Sequence, residues 1–258
     1  MPAPLTPTAR PEAKLLQPEG AVAIKGILFD KDGTLIDYGR TWVPIHKEVA
    51  LYAARGDAAL AVELLRRHGQ DPDSDAVTAG SVLAAGSIYE IADAFAGHLG
   101  PRTPPDLAAA IDRIYSEAGA RHAVPVDGAE GALVELRGRG FRLGVATNDS
   151  EGGLAASLAR GGLLGLFDFT IGCDSGFGTK PDPRMIYAFC AAVGVDPGEV
   201  AMVGDAVHDL AMGRAAGVGL NVGVLGGTSA REDLAGTADL IVAGIGELPL
   251  RPEFCRLG

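Results

Sequence analysis

Two aspartates directly follow an apolar run near the start of the chain. The run Ile27-Leu28-Phe29 leads into Asp30, and Asp32 and Gly33 follow after one intervening lysine. Gly33 allows a turn that points both carboxylates at nearly the same place. Paired carboxylates at a strand end can hold Mg²⁺ and can serve as nucleophile and as acid or base. Asp-Gly is also ordinary turn chemistry, so this pattern alone does not decide between a site and a turn.

A hydroxyl and a lysine stand at comparable places further along the chain. Thr147 follows a run over residues 144–146, and Lys180 directly precedes Pro181. The Thr147 hydroxyl, with backbone N–H groups at a helix start, can bind phosphate oxygens. Lys180 can neutralise charge on a nucleophile and on a transferring phosphoryl group. Taken singly, Thr147 could simply end a strand and Lys180 could be a solvated loop residue.

A second pair of aspartates follows the apolar run over residues 200–203. Asp205 and Asp209 are four residues apart at the start of a predicted helix, so both side chains can face one metal ion. Alone, they could be a helix cap and a surface residue. Together, however, four carboxylates, a hydroxyl and a lysine are what Mg²⁺-assisted phosphoryl transfer through an aspartyl intermediate requires.

Strand and helix patterns alternate from about residue 125 onward. We predict strands over 22–29, 142–147, 169–172, 200–203, 219–224 and 240–242, and helices over 129–137, 153–160, 183–193 and 207–216, with a short helix before the last strand. The alternation predicts the α/β class, a Rossmann-like doubly wound parallel sheet with helices on both faces. Ligands of such sheets bind beyond the carboxyl ends of the strands, where all the candidate residues fall.

The segment between the first two strands carries only helical patterns. We predict helices over 43–54, 58–68, 88–99 and 106–118, separated by loops that contain glycine and proline. The expected organisation is an irregular N-terminal arm over 1–20, a core domain over 21–37 and 124–258, and an inserted all-helical cap domain over 38–123.

Composition argues against several other classes of protein. Of the 258 residues 47% are hydrophobic, which is enough for a sizeable core, and the net charge of −11 argues against nucleic acid or an anionic membrane as a partner. The three cysteines lack metal-ligand spacing and the proline-rich start has no signal-peptide core, so we expect a reduced, cytoplasmic setting. Neither a dinucleotide-binding nor a P-loop glycine pattern is complete.

The four groups of residues resemble the motifs of one enzyme family. In order, they are similar to those of the haloacid dehalogenase superfamily, in its phosphoglycolate phosphatase-like branch, and the resemblance runs from residue 24 to about residue 227. The matching sequences are Leu28-Phe29-Asp30-Lys31-Asp32-Gly33-Thr34-Leu35, Val145-Ala146-Thr147-Asn148, Lys180-Pro181-Asp182-Pro183 and Val203-Gly204-Asp205-Ala206-Val207-His208-Asp209. The helical segment has the place and size of the family's all-helical, C1-type cap.

The resemblance implies a role for each acidic residue. Asp30 would be the nucleophile and a Mg²⁺ ligand, and Asp32 would be the general acid and base, with its backbone carbonyl on the metal. Asp205 would ligate Mg²⁺ directly, and Asp209 would hold metal-bound water. Ala206 departs from the serine or threonine common in this branch, which would remove one hydrogen bond near the metal.

The resemblance also implies how the substrate is held. Thr147, joined by a backbone N–H of Asn148, would bind the transferring phosphoryl group, and Lys180 would bridge that group and the nucleophile. In the cap, Arg40 and Lys47 could bind a second anionic group, such as a carboxylate, or could be packing and solvated residues. Further candidate contacts of the same kind are Tyr38, Trp42, His46 and Tyr89.

The predicted function is that of a Mg²⁺-dependent phosphatase. It would hydrolyse a small phosphomonoester, phosphoglycolate-like or a sugar phosphate, through an aspartyl phosphate, as a monomer or homodimer. A sugar phosphomutase keeps all four motifs and stays open as the main alternative. A phosphonatase would need a cap lysine, and Lys47 is the only one there. A haloacid dehalogenase lacks an acid at the Asp32 position, and a non-catalytic binding protein would not need the complete acidic set.

Overall fold

Six parallel strands form the centre of the structure, a computed structural model that describes residues 23–255. The strands are β1 (Gly26–Phe29), β2 (Arg142–Ala146), β3 (Phe169–Ile171), β4 (Val200–Gly204), β5 (Leu220–Val224) and β6 (Leu240–Val242). All four residues of β1 are buried, as expected for a parallel sheet that is covered on both faces. This architecture confirms the predicted α/β fold class.

The strand order places β1 at the centre of the sheet. The order is β3-β2-β1-β4-β5-β6, so the winding changes direction between β1 and β4. Phe29, the last residue of β1, pairs with Val145 of β2 and with Val203 of β4. The chain therefore leaves these three strands side by side, at the switch point where doubly wound sheets bind ligands.

Helices cover both faces of the sheet. In residues 23–255 they are α1 (Tyr38–Ala53), α2 (Ala58–His68), α3 (Val82–Ala85), α4 (Ile88–Leu99), α5 (Leu107–His122), α6 (Ala129–Gly138), α7 (Glu151–Arg160), α8 (Arg184–Val193), α9 (Val207–Ala216) and α10 (Arg231–Leu234). One buried cluster joins the sheet to α6 and α7 through side chains such as Leu133 and Leu158. The other joins it to α8 and α9 through side chains such as Phe189 and Met212. Both faces of the sheet are thus kept from water.

The helices α1–α5, here called the helical insertion (residues 38–123), share a separate cluster of buried apolar side chains. The two segments that connect the insertion to the sheet run side by side. The Asp37 N–H donates to the Val124 carbonyl at 2.8 Å, and the Val126 N–H donates to the Leu35 carbonyl at 2.9 Å. The insertion therefore has its own hydrophobic core and is joined to the sheet by only two adjacent segments in the described residues. Both features agree with the predicted cap domain over 38–123, and that domain division stays a proposal.

Most predicted elements agree with the structure to within a few residues, and α1 and α3 are the exceptions. The helix α1 begins at Tyr38 instead of residue 43, because the Asp37 side chain accepts the Arg40 N–H at 3.0 Å and caps the helix earlier. Pro44 lies inside α1, although a proline is typical of a helix start. The single turn α3 was not predicted, since four residues give no periodicity.

Three predictions lie wholly or partly outside the described residues. These are the irregular arm over 1–20, the first residue of the strand predicted over 22–29, and the ends of the predicted core domain at 21–22 and 256–258. Among the helices of residues 23–255, none combines the length and hydropathy needed to cross a bilayer.

Candidate active site

The carboxyl ends of three strands bring the predicted motifs together. Asp30 follows β1, Thr147 follows β2, and Asp205 follows β4. The Asp30 N–H donates to the Val203 carbonyl at 2.8 Å, so the hydrogen bonding of the sheet continues into the site. Lys180 reaches the same place from the loop between β3 and α8. The sheet therefore positions residues that are far apart in the sequence.

Lys180 and two carboxylates form a buried charged group. Its Nζ lies 2.5 Å from Asp30 Oδ1 and 2.7 Å from Asp209 Oδ1. Burial opposes the charge on Lys180, but the two carboxylates outweigh it and raise the pKa of the ammonium group. Burial also opposes ionisation of Asp209, yet Lys180 holds the pKa of that carboxyl below its ordinary value. Lys180 is therefore a permanent cation beside Asp30.

Asp30, Asp205 and Asp209 together form a group suited to a divalent cation. One oxygen of each lies within 4.8 Å of the others, and all three side chains are buried. Burial raises the pKa of Asp30, and burial together with the charges of Asp30 and Asp209 raises the pKa of Asp205. Asp30 Oδ2 is buried with no hydrogen-bond partner in the described part of the chain. A hard cation would relieve the repulsion among the three carboxylates, so these residues fit Mg²⁺.

Two glycines make room for the acidic group. Gly33 has a φ of +92°, in the left-handed region, and a Cβ there would lie 2.7 Å from the Asp205 carboxylate. A Cβ on Gly204 would lie 2.5 Å from Asp209 Cγ. Any side chain at either position would displace a carboxylate, so both glycines are required by the geometry of the site.

The carboxylate of Asp32 lies outside this group of three and is held from two sides. Trp42 Nε1 donates to Oδ1 at 2.5 Å, and Lys31 Nζ lies 2.9 Å from Oδ2. Burial raises the pKa of Asp32 to about 6, with Lys31 opposing the rise and the carboxylates of Asp149 and Asp30 adding to it. A carboxyl that titrates near 6 can both donate and accept a proton close to neutral pH, which suits a general acid and base. The predicted metal contact of its backbone carbonyl stays a prediction.

Sequence reasoning missed the ion pair behind Asp32. The Lys31 side chain is fully buried, and its Nζ donates to Asp149 Oδ2 at 2.8 Å and lies 4.6 Å from the ring centroid of Trp42. Burial opposes the charge on Lys31, but Asp149 and Asp32 outweigh it and raise its pKa. The signal available in the sequence was a lysine between two aspartates at the end of an apolar strand, in a chain with few lysines.

Thr147 and Asn148 line the same site from the end of β2. Thr147 is buried, and its hydroxyl oxygen accepts the Asp149 N–H at 3.1 Å. Asn148 Oδ1 accepts the Lys180 N–H at 2.8 Å, and its Nδ2 donates to the Ala85 carbonyl at 3.0 Å. The side chain of Asn148 thus positions Lys180 and joins the core to the insertion, while substrate contact through its backbone N–H stays a prediction.

A cavity of about 60 Å³ lies between the sheet and the helical insertion. The core side contributes the carboxylates described above and His208, whose Nε2 is 3.8 Å from Asp209 Oδ1. The insertion contributes mainly aromatic and aliphatic side chains, among them Tyr38, Trp42, His46, Leu83, Ile91 and Tyr115. Three of these were predicted contacts, and their spacing of four along α1 puts Tyr38, Trp42 and His46 on one helix face.

The structure does not bring three other predicted contacts to the cavity. Arg40 and Tyr89 are exposed, and Lys47 is exposed and paired with Asp75 at 2.6 Å. None of the three lines the cavity. Both project from other sides of α1 than the face that Tyr38, Trp42 and His46 share, which favours the alternative that Arg40 and Lys47 are solvated residues. Their contact with an anionic group of the substrate stays a prediction.

His46 is a buried neutral group in the cavity wall. Its Nδ1 lies 2.8 Å from Gln70 Oε1, and the rings of Tyr38 and Tyr115 pack within 6.3 Å of it. Burial lowers the pKa of His46 to about 4, against the weaker effect of Gln70. Burial raises the pKa of both tyrosines, so both stay neutral through the acid range.

This state of His46 predicts a loss of stability in mild acid. The pKa of His46 falls from 6.5 in the unfolded chain to about 4 in the folded protein. Below pH 6.5 His46 therefore binds a proton in the unfolded chain but not in the folded protein. The free energy of unfolding consequently decreases as the pH falls toward 4. Between pH 8 and pH 5 we expect His46 to account for about 2 kcal/mol of this decrease.

Urea unfolding of wild type and His46→Gln at both pH values tests this prediction. The variant keeps a hydrogen-bonding group but cannot titrate, so its free energy of unfolding should decrease by less than that of wild type. An equal decrease in the two proteins would contradict a neutral His46.

Comparison with known proteins places the chain in a family. A family model for haloacid dehalogenase-like hydrolases matches residues 24–217. The phosphoglycolate phosphatase of Rhodospirillum rubrum is 30% identical over 241 residues, which cover 91% of this chain and 89% of the relative. The N-acetylmuramic acid 6-phosphate phosphatase of Pseudomonas aeruginosa is 29% identical over 195 residues, which cover 75% of this chain and 79% of the relative.

A solved structure has the same fold. The crystal structure of a predicted phosphoglycolate phosphatase from Haemophilus somnus superposes with a TM-score of 0.65 at 22% identity, covering 87% of this chain and 96% of that chain. Fold and site thus define an α/β hydrolase with a helical insertion beside its acidic centre. The chain belongs to the haloacid dehalogenase-like hydrolase family. The predicted family is confirmed.

Proposed function

We propose that the protein is a Mg²⁺-dependent phosphatase that hydrolyses a small phosphomonoester through an aspartyl phosphate on Asp30. The observation that carries the proposal is the free oxygen of Asp30, buried between Lys180, the acidic group and the cavity. The phosphatases among the relatives add support, since phosphoglycolate phosphatase and N-acetylmuramic acid 6-phosphate phosphatase both act on phosphomonoesters.

The residues of the site divide the reaction into two steps. An Asp30 oxygen attacks phosphorus, the bond from phosphorus to the leaving oxygen breaks, and Asp32 donates its proton to that oxygen. Asp32 then takes a proton from water, whose oxygen attacks phosphorus and releases the Asp30 carboxylate and inorganic phosphate. Lys180 offsets the negative charge on the phosphoryl oxygens and on Asp30 in both steps. Thr147 holds the phosphoryl group through its hydroxyl.

Mg²⁺ would be held by Asp30, Asp205 and Asp209, the group whose oxygens converge. When bound, it would supply positive charge to the phosphoryl oxygens. The residues of the site supply the nucleophile and the proton transfers themselves.

The proposed setting of the enzyme is the cytoplasm, with a small phosphorylated metabolite as substrate. All three cysteines are free, which supports a reducing compartment. The net charge of −11 supports a partner other than nucleic acid or an anionic membrane.

Release of inorganic phosphate tests this proposal directly. Purified protein would be given glycerol 3-phosphate, phosphoglycolate, hexose phosphates and p-nitrophenyl phosphate, with Mg²⁺, with excess chelator, and with Mg²⁺ restored. We expect release with Mg²⁺, loss of release with chelator and recovery on restoration. Phosphate released equally well in chelator would contradict the metal dependence, and phosphate moved between positions of a sugar without release would indicate a mutase.

A further inference from the structure

The insertion side of the cavity carries no charged side chain among residues 23–255. Its lining comes from aromatic and aliphatic residues and from His46, which is neutral in its buried setting. The first turn of α4 also borders the cavity, but its capping box occupies two backbone donors. The Ser87 N–H donates to Glu90 Oε2 at 2.7 Å, and the Glu90 N–H donates to Ser87 Oγ at 3.3 Å. A carboxylate on the leaving group would find no cation on this wall.

The cations near the cavity are already engaged by carboxylates. Lys180 is paired with Asp30 and Asp209, and Lys31 is paired with Asp149 and Asp32. The cavity wall formed by the sheet is therefore matched to a phosphoryl group and a metal ion. A second negative charge, placed against the insertion, would be desolvated without a partner, which is costly.

Two uncharged polar groups of the insertion have hydrogen-bonding capacity to spare. The hydroxyl of Tyr115 is buried, has no hydrogen-bond partner among the described residues, and belongs to a side chain that lines the cavity. The Nδ1 atom of His46 is paired with Gln70, so Nε2 is the ring nitrogen left over for a ligand. These groups can bind an alcohol, which both donates and accepts. Tyr38 is already satisfied, because its hydroxyl donates to the Leu83 carbonyl at 2.7 Å.

The cavity is small and half open. Its enclosed part, about 60 Å³ between the sheet and the insertion, favours a short carbon chain on the leaving group over a hexose ring packed against the insertion.

We propose that the substrate is the monophosphate of a small, uncharged polyol, a glycerol-like alcohol whose free hydroxyl binds Tyr115 and whose carbon chain packs against the insertion. This proposal rests on the proposed phosphatase function and names its substrate class. It disfavours phosphates of hydroxy acids, among them phosphoglycolate, although similar proteins carry that name.

A matched pair of substrates tests whether the leaving group must be uncharged. Glycerol 3-phosphate and 3-phosphoglycerate differ by a hydroxymethyl group in place of a carboxylate. With Mg²⁺ present, we expect kcat/KM to be at least about 10-fold higher for glycerol 3-phosphate than for 3-phosphoglycerate, phosphoglycolate or glucose 6-phosphate. Equal or better turnover of either carboxylate-bearing ester, or of the hexose phosphate, overturns the proposal. Failure to hydrolyse any ester, p-nitrophenyl phosphate included, overturns the phosphatase function itself.

A second arm tests the role of Tyr115. Propyl phosphate lacks the free hydroxyls of glycerol 3-phosphate, so the ratio of the two kcat/KM values measures the contribution of those hydroxyls. We expect the ratio, glycerol 3-phosphate over propyl phosphate, to fall by about 3- to 10-fold in Tyr115→Phe. The matched control is Tyr89→Phe, because Tyr89 is 53% exposed and lies outside the cavity. An unchanged ratio in Tyr115→Phe overturns the assigned contact.

Discussion

Asp30→Asn is expected to reduce phosphate release by on the order of 10⁴-fold or more, because the neutral amide oxygen is a far weaker nucleophile than a carboxylate oxygen. The fold should survive the change. Asp30 shares a buried group with Asp205 and Asp209, and burial raises its pKa, so a neutral side chain of the same shape relieves repulsion. Lys180 keeps Asp209 as a partner at 2.7 Å. The free energy of unfolding, measured without Mg²⁺, should therefore be unchanged or higher.

Phosphate release and urea unfolding of the same preparation separate chemistry from folding. Asp73→Asn is the matched control, because the Asp73 side chain is 79% exposed and pairs only with surface Arg66 in the described residues. Its activity should equal that of wild type. An active Asp30→Asn protein would remove Asp30 as the nucleophile.

Lys31→Met is expected to lower the free energy of unfolding by about 3–5 kcal/mol, the cost of leaving a buried charge without its partner. Lys31 is fully buried, and it balances Asp149 at 2.8 Å and Asp32 at 2.9 Å. Methionine fills similar space but leaves two carboxylates facing each other across an apolar side chain. Turnover should also fall, because Asp32 loses one of the two groups that orient it.

A double variant shows whether charge or packing is responsible. Lys31→Met combined with Asp149→Asn removes both charges of the pair, so it should recover part of the stability lost in Lys31→Met. Lys25→Met is the control, since Lys25 is half exposed and its pair with Glu199 lies at the surface, where little stability is at stake. A Lys31→Met protein as stable as wild type, or a double variant no more stable than the single one, would contradict this account.

Local signals in the sequence predicted much of the fold. The helices α2 and α4 begin and end where predicted, because Asp57 and Ser87 cap their first turns and glycines follow their last. The strands that carry the motifs are short apolar runs between turn residues, and parallel topology follows from the helices between them. The convergence of Asp30, Asp205 and Lys180 could therefore be expected before the structure.

What the sequence left open depends on packing between distant segments. Charge alone makes Arg40 and Lys47 candidates for an anionic group of the substrate, but it does not say which face of α1 meets the cavity. The pairing of Lys31 with Asp149 joins residues on β1 and β2 loops that only the sheet brings together. The free hydroxyl of Tyr115 likewise becomes visible only when its neighbours are known.

Two hydrogen bonds join the helical insertion to the residues of the site, so the position of the insertion is coupled to the orientation of Asp32 and Lys180. Trp42 on α1 donates to Asp32, and the Ala85 carbonyl accepts from Asn148, which also holds the Lys180 backbone. A movement that carried Trp42 and Ala85 away from the sheet would break both. Asp32 would then lose its hydrogen bond from Trp42 in the same motion that opens the site to bulk water. An open enzyme would therefore have a less well oriented general acid.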